Sequence, residues 1–222
     1  MKKILIVAAI VLSFAALVFS QFFIKVRIDC KSQYGDCPEQ ISVKLNPFNG
    51  KSLFSAKRGI KKALSSDFLI SDHSLQYKIP NILRVELLVK KAVVAFRDGK
   101  TGSFVLADKE GIVLSRAQDS ALPVITLEED LPGVGQNISQ ANLFALNLAV
   151  GTYQMYQIRE SVVQDGSLLV ELPGQIRVIF PLEGDSEILL GSLRLIYSKL
   201  REDGNLAGYS QIDLRYGNPV LR

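Results

Sequence analysis

The 222-residue sequence has no tryptophan, one histidine and two cysteines. A single imidazole, His73, excludes multi-histidine metal centres, and two thiols alone do not complete a four-ligand zinc site. Neither Ser-x-x-Lys nor Gly-x-Ser-x-Gly occurs, and a serine triad would have to recruit His73 from "SDHSLQ", which reads as a surface position beside a strand start. The fragments "NGKS" (Asn49–Ser52) and "DGKT" (Asp98–Thr101) lack the upstream glycine of a phosphate loop, since Leu45 and Val94 stand there. "GVGQNI" lacks the third glycine of a dinucleotide loop, and the run Glu128, Glu129, Asp130 reads as a solvated acidic loop. Long basic blocks are missing too. The formal charge is +4, or +2 without Lys2 and Lys3, so nucleic acid is not an expected partner. The expectation is a protein without catalytic residues, cofactor or metal.

What the sequence does have is a stretch of 21 uncharged residues, "ILIVAAIVLSFAALVFSQFFI", at positions 4–24 between Lys3 and Lys25. About 20 such residues span a bilayer core as a helix. A secretory signal cleaved before Gln21 is the rival reading. The apolar character continues through Phe22, Phe23 and Ile24, which favours a retained single-pass anchor at 4–24 behind a cytoplasmic tail of residues 1–3. No cysteine follows the run directly, so a lipoprotein anchor is excluded. The terminal amine, Lys2 and Lys3 on one flank balance Lys25, Arg27 and Lys31 on the other, so these charges do not orient the segment. The cysteines help more. Cys30 and Cys37 flank "KSQYGD", and a disulfide there would staple a small loop in an oxidising compartment. That places the bulk of the chain outside the cytoplasm, at the cell (inner) membrane. Two reduced thiols in a loop are the alternative.

The rest reads as α+β. "IKVRID" alternates as a short strand over residues 24–29, followed by a short helix capped at Asp36 or Cys37 with Pro38 in its first turn. "GKSLFSAKRGIKKALSSD" gives a second helix with Phe54, Ile60 and Leu64 inward and its lysines and arginine as a solvated face. Two strands joined near Ile79-Pro80-Asn81 complete a β-α-α-β-β unit, residues 25–91. A boundary near Lys90–Ala92, with strand continuing across it, opens a mixed β unit at 92–222. That unit holds hairpins turning at Asp108–Gly111 and Pro173-Gly174, a mostly buried helix over "QANLFALNLAVGTYQMY", and a helix capped at Asp185 or Ser186 with the stripe Leu189, Leu193, Ile196, Leu200. The chain closes on "QIDLRYGNPVLR", where Ile212, Leu214 and Tyr216 alternate with Gln211, Asp213 and Arg215 as in a strand. A strand at a sheet edge offers unpaired N–H and C=O groups to an incoming segment.

The order of these elements, with "GKSLFS", "ILRVELLVKKAVVAF", "LADKEGIVL", the Leu122-Pro123 pair and above all "IDLRYGNPVLR", resembles the FtsQ/DivIB family of bacterial cell-division proteins. The resemblance covers nearly the whole chain. It implies a single N-terminal transmembrane helix, a POTRA domain and a β domain with two helices and a C-terminal edge strand. It also implies a non-catalytic divisome scaffold. Outside the membrane, such a scaffold binds FtsB/DivIC-like and FtsL-like partners and helps control septal peptidoglycan synthesis. The implied partner-binding residues are Ile212, Leu214, Arg215 and Tyr216. The alternative reading is a POTRA-type assembly or secretion module that holds extended client segments.

Overall fold

The computed structural model describes residues 23–222. The expected tail and nearly all of the expected anchor lie outside this range. No helix among the described residues is long and apolar enough to cross a membrane. The protein is a mixed α+β chain that divides into two compact units between Lys90 and Lys91.

The first unit contains β1 (Arg27–Ser32), β2 (Gly35–Asp36), α1 (Glu39–Leu45), α2 (Leu53–Ser65), β3 (Ile70–Lys78) and β4 (Ile82–Val89). Its sheet runs β2-β1-β4-β3, with β1 parallel to β4 and the other pairs antiparallel. A parallel pair cannot be closed by a tight turn, so α1, α2 and β3 lie between its two strands in sequence. The period-2 set Leu83, Val85, Leu87 points into the core, where it meets Ile41 and Leu45 of α1 and Leu53, Ala56, Ile60 and Leu64 of α2. Phe54, expected to point inward, is 45 % exposed. It sits one residue, about 100° of helix rotation, off the buried stripe. Ser52 starts α2 by accepting a hydrogen bond from the Ser55 backbone N–H. Helix α1 starts behind Pro38 without a side-chain cap, in place of the expected Asp36 or Cys37.

The first strand also differs from expectation. It begins at Arg27, and Lys25 makes an isolated bridge to Ser52 instead of extending it. At its other end β1 continues past Cys30 and turns back onto β2, so the short loop between the cysteines is a hairpin. Cys30 and Cys37 are disulfide-bonded, with Cα atoms 5.4 Å apart. The double substitution Cys30→Ser/Cys37→Ser is expected to cost roughly 2–3 kcal/mol, the amount a short closed loop withholds from the unfolded chain. Denaturant melts measure this, and alkylation of both thiols without prior reduction would refute the bond. Gly59 supplies a second test. A Cβ there would lie 2.2 Å from Cε1 of the Phe48 ring. Gly59→Ala gains about 1 kcal/mol of helix propensity but must displace the ring, at about 1–3 kcal/mol. We expect net destabilisation in the same melts, the opposite of the propensity trend.

The second unit contains β5 (Val94–Asp98), β6 (Phe104–Ala107), β7 (Val113–Ala117), β8 (Val124–Leu127), α3 (Gln140–Tyr156), β9 (Glu160–Gln164), β10 (Ser167–Leu172), β11 (Ile176–Pro181), α4 (Ser186–Glu202), β12 (Gln211–Asp213) and β13 (Val220–Leu221). They form one nine-stranded sheet in the order β13-β12-β11-β10-β9-β8-β5-β6-β7. Residues 90–93 are not strand, and β4 and β5 belong to different sheets, so no strand continues across the boundary. Strand β9 had no counterpart in the sequence reading. It completes a parallel β8–β9 pair bridged by α3, just as β11 and β12 are parallel and bridged by α4. The two helices pack on each other, Tyr156 of α3 meeting Tyr197 of α4 edge-on with centroids 5.3 Å apart. Beneath them Phe96, Ile125, Leu127, Val170, Val178 and Phe180 form the sheet's contribution to the core.

Candidate functional site: the C-terminal corner of the sheet

The last twelve residues build one corner of the nine-stranded sheet. Strand β12 runs parallel to β11 in the register Val178↔Ile212 and Ile179↔Asp213. After Leu214 the backbone bends through Arg215–Asn218 and returns as β13 on the outer side of β12, pairing Ile212↔Leu221 and Asp213↔Val220. The Gln211 N–H donates to the Arg222 carbonyl and the Arg222 N–H to that of Gln211, both at 3.1 Å.

This corrects the sequence expectation of an open edge over Ile212–Tyr216. Both flanks of β12 are paired, and the outermost strand is the two-residue β13. Ile212 and Leu214 are core residues, 0 % and 3 % exposed, and the Leu214 N–H donates to the Ile179 carbonyl at 2.8 Å. Their side chains are therefore not available to a partner in this arrangement. The turn residues Gly217, Asn218 and Pro219 between two apolar stretches were the signal for a returning strand.

Asp213 departs most from the strand pattern, which put it on the solvent side with Gln211 and Arg215. It is fully buried, with Ile179 and Val220 opposite it on the neighbouring strands. Arg215 makes this possible by closing over it. Nε donates to Oδ1 at 2.9 Å, Nη2 donates to Oδ2 at 2.7 Å, and the Arg215 backbone N–H donates to Oδ1 at 3.1 Å. A bidentate guanidinium satisfies both carboxylate oxygens with charge-assisted bonds. The Arg215 side-chain hydrogen bond holds the Asp213 carboxyl below its ordinary range against the opposing effect of burial, and Asp213 in turn raises the guanidinium. Tyr216 follows, 55 % exposed, its ring centroid 5.9 Å from the Arg215 guanidinium carbon. Of the four expected partner-binding side chains, the fold leaves Arg215 and Tyr216 at the surface, side by side.

The motif fragments take local roles. "DGKT" is the β5–β6 turn, where Asp98 accepts hydrogen bonds from the Lys100 and Thr101 N–H groups and the Thr101 hydroxyl. These bonds, the Thr101 hydroxyl first, lower the Asp98 pKa. In the acidic run, Glu129 accepts a hydrogen bond from the amide of the buried Asn142, so one member of that run is structural. Among the described residues no three His, Cys, Asp or Glu side chains gather as metal ligands would. No protein-family model matches the chain, and no curated protein sequence does.

The Asp213–Arg215 pair sets a pH dependence. Asp213 has a depressed folded-state pKa, so its stabilisation is present above the unfolded value of about 3.9 and is lost as the pH falls through the lower folded value. Asp213→Asn should melt several degrees below the parent at neutral pH, and the two curves should begin to converge only as the pH falls below about 4. Equal melting temperatures at neutral pH would show that the pair contributes nothing.

Proposed function

We propose that the protein is a non-catalytic, membrane-anchored divisome scaffold of the FtsQ/DivIB type. It docks FtsB/DivIC-like and FtsL-like partners outside the cytoplasm and so helps control septal peptidoglycan synthesis. In this reading the first unit is the POTRA domain and the second the β domain. The observation that carries it is the C-terminal corner, where an exposed Tyr216 stands beside Arg215 next to the outermost strand of a long sheet. An extended partner segment would hydrogen-bond along the outer side of β13. The Tyr216 face and the solvent side of Arg215 would then choose the segment. Aromatic and arginine anchors of this kind dominate interface energies. The alternative assembly or secretion module is less favoured, because the second unit is one mixed sheet with two helices and not a further β-α-α-β-β repeat.

Tyr216→Ala tests the proposal directly. The side chain is mostly in solvent, so the melting temperature should hold, while partner affinity should fall by about 2 kcal/mol, roughly thirtyfold. Titration of the purified protein with a soluble FtsB/DivIC-like segment measures the affinity. Unchanged binding would remove this corner as the docking site.

A further inference from the structure

The whole-chain charge hides a division. Residues 23–90 carry 12 basic and six acidic side chains, net +6, whereas residues 91–222 carry 12 basic and 16 acidic, net −4. Within the first unit the excess is concentrated on α2. Its 13 residues contain Lys57, Arg58, Lys61 and Lys62 and no acidic residue. The spacing i, i+1, i+4, i+5 spreads these four over one side of the helix: Arg58, Lys61 and Lys62 are exposed, and Lys57 is half-buried at the border of the buried stripe of Leu53, Ala56, Ile60 and Leu64. None of the four makes an ion pair among the described residues. By contrast, Lys44 and Arg84 of the same unit are paired with Asp67 and Asp29.

The position of α2 is fixed by backbone hydrogen bonds to the residues that end the uncharged 21-residue run. The Leu53 N–H donates to the Ile24 carbonyl at 2.8 Å and the Val26 N–H to the Lys51 carbonyl at 3.0 Å. Lys25, the first charge after the run, bridges Ser52, the cap of the helix. The start of α2 is thus tied to the point where the apolar run stops, and the basic face begins about a turn and a half further on, within ~10 Å along the helix.

We infer that this face of α2, with Lys25 and Lys51 beside it, docks the first unit onto an anionic lipid surface. The inference rests on the reading of residues 4–24 as a retained anchor, which would hold the helix at the headgroups. Charge complementarity selects the occupant. Four cations without an ion pair among the described residues, with Lys25 and with Lys51 over the Phe48 ring, would meet phosphate-bearing headgroups at the exit of an apolar segment. A basic side chain close to such a surface strengthens the contact roughly fivefold, and the effect fades beyond a Debye length of about 8 Å.

The test uses the full chain in nanodiscs of phosphatidylcholine, with or without phosphatidylglycerol. Mass spectrometry follows the rate at which an amine-acetylating reagent labels Lys57, Lys61 and Lys62. Lys100, an exposed lysine of the second unit, is the internal reference. We expect labelling of the three α2 lysines to slow about fivefold in the anionic discs. High salt should restore the rates, as should the Arg58→Glu/Lys61→Glu substitution, read at Lys57 and Lys62. Equal rates in both discs would overturn the docking while leaving the anchor intact, and would make an acidic protein the occupant to look for. A chain that is not retained by neutral discs, yet is protected on anionic ones, would uphold the basic face and overturn the anchor.

Discussion

The second unit is organised by parallel strand pairs, two of them bridged by helices and the third, β5 and β8, by the strands β6 and β7. Strands β8 and β9 are parallel neighbours, as are β11 and β12, and each pair steps in the same direction along the sheet. Between them β9, β10 and β11 alternate, so β9 and β11 point the same way. Crossovers of one hand then place α3 and α4 on the same face, and right-handed crossovers are all but universal. The helix–helix contact at Tyr156 and Tyr197 is what such a layer requires. Gly151 on α3 lets the helices approach closely, because a Cβ there would fall 2.3 Å from Leu190 Cδ1 of α4.

The same constraint puts a short strand at the end of the chain. After α4 crosses, β12 has three residues in which to register against β11, and one of them is a fully buried carboxylate. An unpaired buried charge would be costly. Arg215, two residues on, closes that gap and bends the chain at once, because its backbone N–H and its guanidinium hold the same carboxylate. The bend sends residues 217–222 back along β12. One ion pair thus covers Asp213, starts the return to β13, and leaves Tyr216 pointing into solvent.

Elements marked by a long apolar stretch, a cap or an alternation were legible in the sequence. The helix over Gln140–Tyr156 matches the stretch read as helical, the Asp185 cap is in place, and Leu83, Val85 and Leu87 alternate inward. What was misread depended on partners far away in sequence. Strand β9, "ESVVQ", is too short and too polar at its ends to announce itself; it becomes a strand through β8 and β10 on its two sides. Phe54 was assigned inward by hydrophobicity, yet the stripe actually buried begins with Leu53. At the corner, the alternation of Ile212, Leu214 and Tyr216 suggested one face in and one face out. Pairing by β13 and closure by Arg215 bury Asp213 as well.

Net charge misleads for a related reason. A sum over 222 residues treats the chain as one point, and the value of +4 suggests little attraction to an anionic surface. Screening at physiological salt cuts interactions off within about 8 Å. A domain of some 70 residues has a radius of gyration near 11 Å, so distant charges of opposite sign do not cancel near ones. A surface next to residues 23–90 would meet an excess of six positive charges, several on one helix and without local counter-charges. The total of +4 averages over both units and does not report that excess. For this chain the informative electrostatic quantity is therefore the charge of each compact unit, which becomes definable once the fold shows where one unit stops and the next begins.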